Sequence, residues 1–177
     1  MEALKNLAKI PLWYALPMTT LLLIRHGIAE DWRFGHPDAE RALTEEGWEK
    51  TRAAMRGLVA LGHVPDRGIS SPYRRAMETM ACLKEAAGNG FPVGIWDGLT
   101  PEADPEAAEA WLRTLMRGAG ADERLAFTSH LPFLPALVAH LTGRDLDIKK
   151  ASCTVVEWMG SGWRFKHHYT PAQLRGE

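Results

Sequence analysis

His26 stands between Arg25 and Gly27, directly after the apolar run Leu21-Leu22-Leu23-Ile24. The arrangement puts an imidazole, with a reference pKa of about 6.5 and so mostly uncharged at neutral pH, beside a permanent cation. An uncharged ring nitrogen attacks phosphorus without first losing a proton, and a neighbouring guanidinium holds phosphoryl oxygens. The apolar run reads as a buried parallel strand, and in open parallel sheets ligands gather at the strands' carboxyl ends. His26 is therefore expected where a substrate lies.

Three further segments carry compatible chemistry: Ser71-Pro72-Tyr73-Arg74-Arg75, Leu99-Thr100-Pro101 and Ser129-His130-Leu131-Pro132. With the first they offer His26, His130, Arg25, Arg74, Arg75 and several hydroxyls. Arginine's planar fork matches phosphate oxygens, and helix N-termini add free N–H groups. Carboxylates are sparse in these segments, and mainly positive charge repels a divalent ion, so no metal and no cofactor is expected.

The elements that must position these groups alternate. A strand over 20–24 leads into a loop over 27–41 punctuated by Gly35, Pro37 and Asp38. Thr44 caps a helix to about residue 61, with Trp48, Thr51, Met55, Leu58 and Val59 on one face. After Gly62 and Pro65 a short strand over 67–70 follows. Ser71 as cap and Pro72 at the first helical position then open a helix to about residue 87, with Ala76, Met80 and Leu83 inward. A third strand over 91–96 precedes a helix over 105–117 that buries Ala108, Trp111, Leu112 and Leu115. A fourth strand, 124–128, is followed by a helix opened by Pro132 or Pro135 and reaching residue 141. Residues 153–159 and 163–168, joined by Gly160-Ser161-Gly162, read as a hairpin or paired edge strands. The alternation predicts an α/β fold, a three-layer α/β/α sandwich whose mostly parallel central sheet has helices on both faces. Parallel strands would bring all four motifs to one sheet edge.

At 177 residues the chain suits one domain. That domain is expected over 18–177. Residues 1–17 read as an N-terminal extension, either flexible or an artefact of start assignment, because Met18 directly precedes the first strand. Lysine plus arginine (21) nearly balance aspartate plus glutamate (22), which leaves no broad basic field for nucleic acid or a membrane surface. No apolar stretch reaches the roughly 18 residues of a membrane span. Cys82 and Cys153 lack metal-type or redox-type spacing and read as buried small hydrophobes in a reducing compartment, hence a cytoplasmic protein.

The order of motifs is more specific than any one of them. Arg25-His26-Gly27, Arg41-Ala42-Leu43-Thr44 with Gly47, Ser71-Pro72-Tyr73-Arg74-Arg75-Ala76 with Thr79, Leu99-Thr100-Pro101 and Ser129-His130-Leu131-Pro132 follow one another over about 20–141. This series resembles the histidine phosphatase superfamily, and within it the small SixA-type phosphohistidine phosphatases. The resemblance implies a histidine phosphatase-like fold with His26 as the nucleophile that becomes phosphorylated. It implies Arg25 and Arg75 as the phosphate clamp, and His130 as a second histidine donating to the phosphoryl oxygens. Gly27 would let the backbone approach closely. Arg41 would either touch substrate or hold the loop by a salt bridge, and Arg74 should point away from the site that Arg75 serves. Trp32 is a candidate rim residue and His36 an exposed loop histidine; His63, His140, His167 and His168 read as surface or packing residues.

Larger members of that superfamily carry a glutamate general acid near the third strand. Here the segment Asp97-Gly98-Leu99-Thr100-Pro101-Glu102-Ala103-Asp104 offers only Glu102 and Asp104 as acid or base candidates. An imidazole leaving group is protonated on its free nitrogen near neutral pH, whereas a sugar alkoxide needs a positioned acid. The expected activity is therefore a metal-independent phosphatase acting on phosphohistidine in a signalling or phosphotransfer protein. Its partner would be a phosphorylated domain of the histidine phosphotransfer type, or a small phosphorylated substrate. The alternatives are a phosphatase of small esters or nucleotides, a non-catalytic phosphoprotein-binding module and, more distantly, a phosphoglycerate mutase.

Overall fold

The computed structural model describes residues 18–118 and 122–177; the extension expected over 1–17 lies outside them. The strands β1 (Thr19–Arg25), β2 (Arg67–Ser70), β3 (Val93–Ile95), β4 (Arg124–Ser129), β5 (Cys153–Trp158) and β6 (Trp163–Tyr169) form one sheet in the order β3-β2-β4-β1-β5-β6. The helices are α1 (Glu45–Ala60), α2 (Arg74–Ala86), α3 (Pro105–Gly118), α4 (Phe133–Thr142) and α5 (Pro171–Arg175).

The uniform apolarity of β1 follows from its place at the middle of this order. Leu21 and Leu23 face a cluster with Leu112 of α3 and Phe133, Leu137 and Val138 of α4. Leu22 and Ile24 face the opposite cluster, with Met55 and Leu58 of α1, Met80 and Leu83 of α2 and Leu174 of α5. Successive strand residues point to opposite faces, so a strand covered on both sides must be apolar at every position. Each such leucine or isoleucine taken from water contributes about 1.5–3 kcal/mol. The result is the three-layer α/β/α sandwich.

β1, β2, β3 and β4 run parallel, with Arg25 opposite Ser129, Ser70 opposite Thr128 and Ser70 opposite Ile95. Their carboxyl ends therefore share one edge. Helix α1 starts as its sequence predicts: the Thr44 hydroxyl accepts from the Gly47 N–H at 3.0 Å.

Local expectations are corrected at α2 and β3. Helix α2 begins at Arg74 rather than at Pro72, with Tyr73 as its first flanking residue. Ser71 continues the strand ladder, its N–H donating to Thr128 C=O at 3.0 Å, and its hydroxyl is taken up by His130 Nε2 and the Tyr73 N–H instead of capping α2. β3 is shorter than 91–96 because it is an edge strand whose three residues are all exposed. The two C-terminal strands form the expected hairpin, and because β5 also pairs antiparallel with β1, only β6 lies at the sheet edge. Helix α5, unmarked in the sequence reading, is opened by a capping box between Thr170 and Gln173. None of the described helices is long and apolar enough to cross a membrane.

Candidate active site

The backbone around His26 is tied to neighbouring segments. His26 N–H donates to Ser129 C=O at 3.0 Å, Gly27 N–H to Thr79 Oγ1 at 3.1 Å, and Ala151 N–H to the Arg25 and His26 carbonyls at 3.0 and 3.2 Å. Thr79 in turn donates to Arg75 C=O at 2.7 Å, so one hydroxyl links the turn after β1 to α2. Gly27 is required by space. A Cβ there would fall 2.0 Å from Thr51 Oγ1, well inside van der Waals contact.

The ring of His26 is oriented by its own chain. Nδ1 lies 2.7 Å from Gly27 C=O, and since a carbonyl only accepts, Nδ1 carries the hydrogen. Nε2 then holds the lone pair, and Arg75 Nε donates to it at 3.3 Å. Burial lowers the His26 pKa to about 3; the Gly27 hydrogen bond works against this, while the charges of Arg75, Arg25 and Lys150 add to it. The imidazole is thus neutral at pH 7 with its lone pair on Nε2.

Arg75 is buried, and each of its three guanidinium nitrogens donates one hydrogen bond. Besides its bond to His26, Nη1 donates to Asp38 C=O at 2.7 Å and Nη2 to Asp38 Oδ2 at 2.8 Å, with the Tyr73 ring 4.9 Å from its guanidinium carbon. Arg74, one residue earlier in the same turn, points out to Glu78 at 2.8 Å. Arg25 donates through Nη1 to Ile148 C=O at 2.7 Å, and its buried Nε has no partner among the described residues.

His130 stacks near both rings of the site, 5.1 Å from His26 and 5.0 Å from Tyr73. Its Nε2 is 2.8 Å from Ser71 Oγ, which accepts from Tyr73 N–H at 3.3 Å. In the tautomer whose Nε2 accepts the Ser71 hydroxyl hydrogen, His130 Nδ1–H is a donor. That Nδ1 is buried without a partner among the described residues. Burial first, then the charges of His26, Arg75, Arg41 and Arg25, lower the His130 pKa to about 2.

The remaining candidates sit further out. Arg41 spans the loop, with Nε on Asp38 Oδ1 at 2.7 Å and Nη1 on Glu30 C=O at 2.6 Å. Glu102 reaches the Tyr73 hydroxyl at 3.3 Å, and Asp104 caps α3, accepting from the N–H groups of Glu106 and Ala107 at 3.1 and 3.4 Å. His36 pairs with Glu40 at 3.7 Å. Among the described residues no three His, Cys, Asp or Glu side chains converge as a metal centre would require.

Two contributors escaped the sequence reading. Asp38 was seen only as loop punctuation, although its spacing to Arg41, three residues on, is a usable sign of a local ion pair. The segment before β5 arrives at the site because β5 runs antiparallel to β1, with Cys153 opposite Ile24. Ile148, Lys150 and Ala151 come with it, and nothing local in their sequence marks them.

The family model described as the histidine phosphatase superfamily (branch 1) matches residues 21–104. An uncharacterized protein of Picosynechococcus is 33% identical over 135 residues, 74% of this chain and 80% of that protein. A phosphohistidine phosphatase SixA homolog of Haemophilus influenzae is 29% identical over 153 residues, 80% of this chain and 88% of the relative. Among solved structures, the protein histidine phosphatase SixA complexed with tungstate superposes with a TM-score of 0.76 at 25% identity, covering 88% of this chain and 99% of SixA.

Proposed function

This chain belongs to the histidine phosphatase superfamily, with SixA-like relatives, and from that premise we propose that it is a phosphohistidine phosphatase working through a phosphorylated His26. One observation carries the reading. The His26 ring holds its hydrogen on Gly27 C=O and turns a lone pair toward a buried guanidinium, with His130 beside it. Phosphoryl transfer asks mainly for in-line positioning and for donors to the equatorial oxygens.

In the first step His26 Nε2 attacks phosphorus while Arg25 Nε, Arg75 and His130 Nδ1 donate to the oxygens. Because Nδ1 keeps its proton, the phosphorylated ring is a cation. It departs in the second step as a neutral imidazole, a far better leaving group than an imidazolate. Water then releases phosphate. The incoming substrate's leaving group is the other half of the argument: Glu102 and Asp104 are engaged with Tyr73 and the α3 N-terminus, which supports a substrate whose leaving group needs no enzyme acid. A phosphohistidine meets that condition and an alkyl phosphate does not. The proposed partner is accordingly a protein domain bearing phosphohistidine.

The test is to trap the intermediate and then compare substrates. Incubation with a labelled phosphohistidine protein should leave acid-labile phosphate on the wild type and none on His26→Ala. Turnover of the phosphoprotein should exceed that of a panel of alkyl esters and nucleotides. Turnover of esters alone would shift the substrate class. A wild type that takes no label and turns over nothing would leave a phosphoprotein-binding module.

A further inference from the structure

Cleavage of a phosphorylated His26 by water requires a proton acceptor. The only carboxylate hydrogen-bonded to the same guanidinium as His26, among the described residues, is that of Asp38. We propose that Asp38 is the catalytic base of the second step, taking the proton of the water that cleaves the His26 phosphoramidate. This rests on the reading of His26 as nucleophile.

Geometry supports it first. Arg75 gives Nε to His26 Nε2 at 3.3 Å and Nη2 to Asp38 Oδ2 at 2.8 Å, so one rigid planar group separates the nucleophilic nitrogen from the carboxylate. Asp38 also has a second anchor. Arg41 Nε binds Oδ1 at 2.7 Å and is itself held on Glu30 C=O at 2.6 Å. When phosphoryl oxygens draw on the Arg75 fork, Arg41 keeps the carboxylate at the rim with Oδ2 released for water. Arg41 thereby becomes a positioning residue.

The charge state fits a base and not an acid. The groups facing Asp38 are Arg75 and Tyr73 from the α2 side and Arg41 from its own loop. Partial burial opposes ionisation of the carboxyl, but the hydrogen bonds and charges of Arg75 and Arg41 outweigh it and hold the group below its ordinary value. In the step itself the water oxygen forms the new P–O bond as the P–Nε2 bond breaks. The bonding pair returns to Nε2, Nδ1 retains its hydrogen, the water proton passes to Asp38, and phosphate leaves.

The experiment follows the fate of labelled phosphoenzyme by rapid quench. In Asp38→Asn its hydrolysis should slow by about 10²–10⁴-fold, the range of a lost general base. Its formation should slow far less, so that labelled His26 accumulates. Asp38→Glu, which keeps a carboxylate for both arginines, should recover part of the rate. The wild-type hydrolysis rate should fall at acid pH, below the ordinary carboxylate range, and Asp38→Asn should lack that limb. Decay of the Asp38→Asn phosphoenzyme at the wild-type rate would overturn the proposal, including where the variant merely binds inorganic phosphate more tightly. Absence of label from the wild type would instead remove the His26 reading, and this one with it.

Discussion

At the scale of residues, His26 and His130 are bases that the fold keeps neutral, and this makes stability depend on pH. Their folded pKa values, about 3 and about 2, lie below the unfolded value of about 6.5. As pH falls from 6.5, the unfolded chain takes up protons that the folded chain refuses, so stability is complete above 6.5 and declines below it. Each histidine contributes at most about 1.4 kcal/mol per pH unit in that window. Urea unfolding should show a flat midpoint from pH 7 to 8 and a falling one from 6.5 to 4. His130→Gln should reduce the slope, and an unchanged slope would refute the assignment. The residue types needed for phosphoryl transfer were legible at this scale, since Arg25, His26, Arg75 and His130 stand in recognisable motifs. Asp38 was not, because its meaning comes from an arginine 37 positions away.

Elements carry a different kind of information. The period of apolar residues identified α1 and α3, and a wholly apolar run identified β1. Direction was harder: a hairpin pattern at β5 and β6 says nothing about which strand joins the sheet centre. That choice brings the Ile148 carbonyl to the Arg25 guanidinium and the Ala151 N–H to the carbonyls of Arg25 and His26. The C-terminal α5 carries a local mark in its Thr170 to Gln173 capping box, and at five residues long it also relies on its contact with α1. Gly57 makes that contact possible, since a Cβ there would lie 1.6 Å from Leu174 C=O. Gly57→Ala should therefore push α5 away and expose Leu174, which is 2% accessible. The expected loss is about 1.5–3 kcal/mol in chemical unfolding. The kcat for an aryl phosphate, measured where the variant is folded, should stay near wild type; a fully stable variant would show that the C-terminus yields without cost.

For the whole molecule the question is what the open sheet edge receives. The loop that delivers Asp38 and Arg41 also displays Trp32 at 62% and Phe34 at 94% exposure, their rings 6.4 Å apart and edge to face. Under the proposed function, a phosphorylated protein domain would dock against this loop, whereas a small ester need not. The double variant Trp32→Ala, Phe34→Ala should raise KM for the phosphoprotein about tenfold or more. It should leave kcat/KM for a small aryl phosphate within about twofold of wild type. Equal losses on both substrates would mean that the pair supports the loop and not the partner.

The sequence by itself determined the class of chemistry, the family, the alternation of strands and helices and the two faces of the core. These depend on residue type, on motif order and on the periods of 2 and 3.6, all of which are local. Only the tertiary structure decided which ring nitrogen of His26 keeps its lone pair, that Ser71 serves His130 instead of capping a helix, and that a loop carboxylate shares Arg75 with His26. Those outcomes rest on hydrogen bonds and ion pairs between segments distant in the chain, and such pairings are settled by how the layers pack, not by any window of sequence.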